Sequence, residues 1–257
     1  MISSLANPQV KRIRRLQKNK RYRYREQAFV VEGTRLFQEL AVNPERPKTT
    51  FYTQDWLADA AHEAIIAEKN LAGEVVTNEV MAAMSDTESA SGVLAVTSMS
   101  PIPLPDQPSM VLILDAITTP GNLGTMLRTA GAARVDAVLL APDCVDPYNP
   151  KVVRGAMGAH FRLPIQQLDW QEIIAYCHSL KIWVSEAAGG EIYTRVDWRQ
   201  PSALIVGNEA RGAGSESQKA AHGSVVVPMA GGTESLNAAT ASAVILYEAL
   251  RQRNFFA

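Results

Sequence analysis

The second half of the chain has a rhythm that leaves few folds open. Apolar runs of strand length recur at 110–114, 137–140, 182–185, 203–206 and 224–227. Helix-like segments are predicted between them at 122–133, 151–158, 170–180 and 215–220, with a closing helix at 236–253 that carries Ala, Leu, Ile and Tyr at helical spacing. A strand that is apolar along its whole length needs cover on both faces. Alternating with helices, such strands predict an α/β domain with a parallel sheet. Ligands in sheets of this kind bind beyond the carboxyl ends of the strands.

Three polar loops follow three of the predicted strands. The first runs from Thr118-Thr119-Pro120-Gly121-Asn122-Leu123-Gly124 to Arg128-Thr129-Ala130. The second is Gly207-Asn208-Glu209-Ala210-Arg211-Gly212, directly after Val206. The third runs from Val227-Pro228-Met229 to Glu234-Ser235-Leu236-Asn237. Each contains Asn with Gly or Pro, residues suited to tight turns and to close approach of a ligand. Taken singly, each loop also reads as turns and helix caps: Asn122 capping the helix after the Pro-Gly turn, an ordinary Glu–Arg surface pair, and Ser235 or Asn237 capping the last helix, though capping does not explain the small residues Ala238-Ala239-Thr240-Ala241-Ser242-Ala243 that follow. Together, in this order, they point to one site assembled from three strand ends.

The first region also reads as a small α/β domain. A basic helix is predicted over 8–24, strands at 29–31, 50–53, 74–76 and 93–97, and helices at 34–41 and 55–69. The stretch 98–109 has four prolines and reads as a linker, since proline interrupts helices and sheet ladders alike. The expected layout is therefore an N-terminal domain at 1–98 with its basic arm at 1–25, a linker at 99–109 and a second domain at 110–257. With 257 residues, 47% of them hydrophobic, both have ample core.

A net charge of −1 conceals a strong asymmetry: residues 1–25 carry +9 with no acid, 26–109 carry −9 and 110–257 carry −1. The arm holds Lys11, Arg12, Arg14, Arg15, Lys18, Lys20, Arg21, Arg23 and Arg25, and would draw a polyanion to one end of the molecule. No apolar run reaches the roughly 18 residues of a membrane span. The N-terminus has no signal-peptide core, so a cytoplasmic protein is expected. Cys144 and Cys177 lack metal-type spacing and read as packing residues in a reducing compartment; no metal is expected. The dinucleotide fingerprint, the P-loop and the G-x-S-x-G elbow are absent, and His62, His160, His178 and His222 are scattered.

Together the loops resemble the SpoU (TrmH-type) branch of the SPOUT RNA methyltransferases. The family's three motifs map onto Pro120-Gly121-Asn122-Leu123-Gly124 with Arg128-Thr129-Ala130, Gly207-Asn208-Glu209 with Arg211-Gly212, and Pro228-Met229 with Ser235-Leu236-Asn237. Asp146-Pro147-Tyr148-Asn149-Pro150 through Arg154, then Met157-Gly158 and Phe161-Arg162, also look like the family. So do Ser4, Asn7-Pro8, Arg21 and Phe29-Val30-Val31-Glu32-Gly33, which are similar to its small RNA-binding domain. The departures are Thr119, where Asp or Asn is frequent, and Gly131 and Arg134 after the Arg-Thr-Ala.

The resemblance implies a trefoil-knotted parallel-sheet SPOUT domain, a homodimer, and methyl transfer from S-adenosylmethionine to an RNA ribose 2′-hydroxyl. It implies that Val206, Gly207, Asn208, Gly212, Val227, Pro228, Met229, Ser235 and Leu236 hold the methyl donor. Asn122, Arg128, Glu209, Ser235 and Asn237 are the implied catalytic set. Arg128 would hold the target phosphate or steady the developing alkoxide, because a guanidinium stays protonated and is a poor base. Lys11, Arg12, Arg14, Arg15, Lys18, Lys20 and Arg21, with Arg128, are the expected RNA contacts. The basic domain favours ribosomal over transfer RNA. Two other readings stay open: a non-catalytic RNA-binding protein of the same fold, and an α/β enzyme acting on a small nucleotide. The extended cationic arm argues against the last.

Overall fold

The structure is a computed structural model that describes residues 1–41, 49–69, 71 and 73–253. The chain divides into two compact units, Met1–Ser100 with Asp146–Phe161, and Pro101–Val145 with Arg162–Ala257. The first unit contains α1 (Pro8–Lys18), α2 (Lys20–Glu26), β1 (Ala28–Glu32), α3 (Thr34–Ala41), β2 (Thr49–Thr53), α4 (Gln54–Leu57), α5 (Ala60–Lys69), β3 (Glu74–Val76), α6 (Asn78–Met84) and β4 (Val93–Ser98). Its sheet has the order β1-β4-β2-β3, with β4 antiparallel to both neighbours and β2 parallel to β3. Every residue of β1 is buried because both faces are covered. Val30 packs with Val10, Ile13 and Leu16 of α1, while Phe29 and Val31 pack with Phe37 and Leu40 of α3.

The basic helix expected over 8–24 is two helices. Asn19 is extended (φ −127°, ψ 108°), and its side-chain oxygen accepts the Tyr22 amide at 2.9 Å to cap α2. A short amide side chain competes with the helical backbone in this way. The helix expected over 55–69 is also divided. Thr53 caps α4, and Asp59 accepts the Ala61 amide at 2.9 Å as α5 begins.

The second unit begins with β5 (Met110–Leu114), α7 (Pro120–Ala132) and β6 (Ala137–Leu140). The chain then contributes α8 (Pro150–Ala156) to the first unit. It returns as β7 (Ile165–Gln167), α9 (Trp170–Tyr176), β8 (Lys181–Glu186), β9 (Glu191–Ile192), β10 (Ser202–Val206), α10 (Ser215–Ala220), β11 (Gly223–Val226) and α11 (Ala238–Gln252). The sheet is parallel throughout, in the order β7-β6-β5-β10-β8-β11-β9. Its central strands, β5 and β10, are buried at every residue, as their unbroken apolar sequence requires. The strands β7 and β9 and the helix α6 do not show in the sequence pattern; β9 has no buried residue and β7 buries only Ile165. Cys144 and Cys177 are buried, and burial pushes their thiols up to about 11 and about 12.

The Pro-rich stretch is partly docked. Leu104 packs on the second unit's core, and the Pro105 carbonyl accepts the Tyr176 hydroxyl at 2.9 Å.

Segment 146–161, read from sequence as part of the second domain, packs with the first unit for a definite reason. Asp146 forms a buried ion pair with Arg23, whose Nε lies 3.1 Å from Oδ2. The Arg23 guanidinium also donates to the carbonyls of Leu16 (2.7 Å) and Gln17 (3.1 Å). Asp146 Oδ1 accepts the Tyr24 hydroxyl at 3.2 Å and the Tyr148 amide at 3.0 Å. Val153, Tyr148 and Phe161 then join the core beside Phe29.

Candidate active site

The sheet of the second unit changes direction between β5 and β10. The chain leaves β5 toward β6 and β7, whereas β8, β11 and β9 lie on the far side of β10. A crevice opens above the carboxyl ends of strands at such a point. Two of the three sequence loops begin there, after Leu114 and Val206, and the ladder continues into them through the Asp115 amide, which donates to Val206 O at 2.9 Å.

Buried polar groups fix both loops. Asp115 Oδ2 accepts the Gly214 amide (2.7 Å) and the Ser217 hydroxyl (2.6 Å), tying the end of β5 to the start of α10. Asn208 donates to the Ala116 carbonyl at 2.7 Å, while its side-chain oxygen accepts the Ala210 and Arg211 amides at 3.0 and 3.2 Å. The backbones of Asn208 and Gly212 exchange two 2.9 Å hydrogen bonds. This closure requires glycine at 207, where a Cβ would stand 2.2 Å from Ala213 N. Gly212, at φ +69°, supplies the left-handed turn.

A chain of side chains joins all three loops. Asn237 Nδ2 donates to Asn122 Oδ1 at 3.2 Å, and Asn122 Nδ2 donates to Glu209 Oε1 at 2.8 Å. Asn122 therefore does not cap its helix. It lies in the first turn of α7, where Thr119 holds the cap position without a side-chain hydrogen bond to the helix. Asn237 caps α11 and joins the chain as well, its oxygen accepting the Ala239 amide at 2.9 Å. Burial works to raise the Glu209 carboxyl. Hydrogen bonds from Asn122, its own backbone and Thr119 outweigh that and hold it below the usual carboxylate range.

A cavity of about 240 Å³ lies against this network. Of the residues expected to hold a ligand, Val206, Gly207, Asn208, Gly212, Val227, Met229, Ser235 and Leu236 line it, as does Glu209; Pro228 does not. Asn208 contributes mainly as the loop's internal fastener. The end of β8 adds Ser185, Glu186 and Ala187, which motif reading missed. The strand-end rule applied to β8 would have found them. Glu186 is held by the Gln218 amide.

Arg128 stands apart from the cavity wall. It is exposed on α7, with no hydrogen bond or ion pair to any described residue. In the first unit Lys11, Arg14, Arg15, Lys18, Lys20 and Arg21 are exposed, while Arg12 is half-buried and pairs with Glu26 at 3.4 Å. Among the described residues, no helix is long and apolar enough to cross a membrane.

A parallel α/β sheet whose switch-point loops close on one another around a cavity defines a class of ligand-binding enzyme domain. The comparisons narrow it: the SpoU rRNA Methylase family matches residues 109–247, and the chain belongs to that family. An MRM3-like substrate binding domain matches residues 7–95. The chain is 33% identical to an uncharacterized tRNA/rRNA methyltransferase of Synechocystis sp., over 98% of this chain and 94% of that protein. It is 30% identical to the 23S rRNA (guanosine(2553)-2′-O)-methyltransferase RlmP of Bacillus subtilis, over 96% and 97% of the two chains. The crystal structure of an AdoMet-bound rRNA methyltransferase from Sinorhizobium meliloti superposes with a TM-score of 0.85 at 28% identity, covering 97% of each chain.

Proposed function

We propose that the protein transfers the methyl group of S-adenosylmethionine to a ribose 2′-hydroxyl of ribosomal RNA. The observation that carries this reading is the Asn237–Asn122–Glu209 chain, which binds three motifs distant in sequence into one wall beside the cavity.

The cavity's chemistry fits the methyl donor. Val227, Met229, Leu236 and Ala241 offer apolar and small surfaces suited to a purine, and the Val206–Gly207 backbone offers hydrogen-bonding groups at its edge. Glu209 and Glu186 place two carboxylates beside a ligand that carries ammonium and sulfonium charge. When bound, the donor supplies an already electrophilic methyl carbon, so the protein's main task is alignment. Asn122, itself bonded by Asn237, holds Glu209 in place and with Thr119 favours its ionised form. Arg128 binds a phosphate of the target strand and stabilises negative charge developing on the ribose oxygen.

The same reading assigns residues 1–98 to RNA binding and 110–257 to catalysis. It carries a trefoil knot in the second domain, a homodimer and a cytoplasmic location. Support comes from the family resemblance and from the exposed cations of α1 and α2. RNA affinity held by phosphate contacts should fall steeply with salt. Mapping 2′-O-methyl marks in ribosomal RNA from cells with and without the gene tests the whole reading. One mark should disappear with the gene and return with the intact protein but not with Arg128→Ala. An unchanged map of ribosomal RNA would sink it.

A further inference from the structure

Two arginines of the basic arm are held unlike the rest. The Arg15 guanidinium carbon lies 4.5 Å from the centroid of the Tyr22 ring, and that of Arg25 lies 4.7 Å from the same centroid. Tyr22 is itself half-buried against the core cluster that contains Val10, Ile13 and Leu16. The ring is thus anchored on the core, and it holds two guanidinium groups against it that would otherwise sweep through solvent. Both arginines remain exposed, and the acid beside them, Glu26, reaches Arg25 only at 3.5 Å while also pairing with Arg12. The break at Asn19 is what allows this: it turns α2 so that Tyr22 meets Arg15 of α1. Arg15 also borders an open groove of about 400 Å³ lined by Lys11, Arg14, Lys18 and Asn19.

A lysine-rich surface reads only phosphate, but a fixed guanidinium plane reads something more. Unpaired bases stack on arginine planes and aromatic rings, whereas a duplex keeps its base faces covered. We propose that the Arg15–Tyr22–Arg25 stack is a platform for an unpaired RNA base, with the neighbouring phosphates lying in the Lys11–Arg14–Lys18 groove. This rests on the RNA reading above and deepens it: the substrate presents unpaired nucleotides to the first unit, not a plain helix. Charge complementarity between an uncompensated cationic groove and a nucleic acid strand selects the occupant.

The test uses the full chain and two single-stranded oligoribonucleotides of equal phosphate number, one normal and one with abasic sugars at its central positions. Fluorescence anisotropy across a salt series should show the wild type binding the normal strand about tenfold more tightly. The Arg15→Lys/Arg25→Lys double variant keeps both charges but loses the planes. It should bind the two strands equally, with the wild-type salt slope. Tyr22→Leu, with its fold checked by circular dichroism, should lose the same discrimination. A wild type blind to the missing bases, or a double variant that still detects them, would overturn the proposal. So would polyglutamate that displaces the abasic strand as well as RNA of equal charge does, since it would assign the patch to an acidic protein. Methyl transfer measured on the same preparations separates the two readings. Transfer without base discrimination defeats the platform alone, and base discrimination without transfer defeats the proposed chemistry alone.

Discussion

Two polar networks in this protein join residues more than a hundred positions apart, and they are built in opposite ways. Around Asp146 in the first unit every partner is internal: Arg23, Tyr24 and the Tyr148 amide take up the carboxylate, and the backbone takes up the rest of the guanidinium. Around Asn122 in the second unit the chain of bonds ends at exposed side chains beside a cavity, and Arg128 on the same helix has no partner among the described residues. A closed network of buried charge holds a fold in register. An open one leaves hydrogen-bonding capacity for a ligand.

The comparison is broken most severely at Asp146. Asp146→Ala leaves Arg23 charged, buried and unpaired, which should cost about 3–5 kcal/mol in urea unfolding. A loss below 1 kcal/mol would show that the network is not closed after all. At the open network the effect should fall on rate and not on stability. Arg128→Ala should lower the methyl-transfer rate constant by about 10²–10³-fold, the range for removing one preorganised group from a developing oxyanion. Its melting temperature should stay at the wild-type value. An unchanged rate would remove Arg128 from the chemistry.

Next in size is a pH effect. His160 is half-buried beside the closed network, where desolvation lowers its pKa from 6.5 to about 4 despite its 2.8 Å contact with the Pro147 carbonyl. The folded imidazole stays neutral while the unfolded one takes up a proton. Stability should therefore fall as pH drops from about 6.5 to about 4, by on the order of 3 kcal/mol, and stay level above that window. His160→Gln should flatten the slope; an equally steep slope in that variant would place the titrating group elsewhere. The smallest effect sharpens the boundary between the networks. Asn208 lines the cavity yet spends its side chain on Ala116, Ala210 and Arg211. Asn208→Ala should destabilise the fold by about 1–3 kcal/mol, as expected when buried partners lose their bonds. It should also weaken donor binding measured by calorimetry. Loss of binding with full stability would move Asn208 into the open class.

Much of this was legible in the sequence, for identifiable reasons. The buried strands β5 and β10 show as unbroken apolar runs, and the loops after them show as Asn-Gly and Pro-Gly clusters. Asn122 and Asn237 were legible as polar loop residues but not as partners, because a bond between positions 122 and 237 depends on which strand ends lie side by side. Asn122 also looked like a helix cap, and only tertiary pairing with Glu209 shows otherwise. Glu186 carried no motif. The break at Asn19 was hidden because the charged residues on either side are all good helix formers. The partnership of Arg23 with Asp146 was the least visible, since it pairs one of nine arm cations with an acid in the other half of the chain.

That last pair bears on how such proteins can be recombined. The boundary between the two family matches, near residue 100, suggests that the first module could be exchanged by one cut, yet the first unit also owns Asp146–Phe161. A chimaera joined only at the prolines would bring a foreign Arg23 to a native Asp146, and a foreign Phe29 to a native Tyr148. The first unit in this architecture is encoded by two separated stretches of gene, and they must travel together.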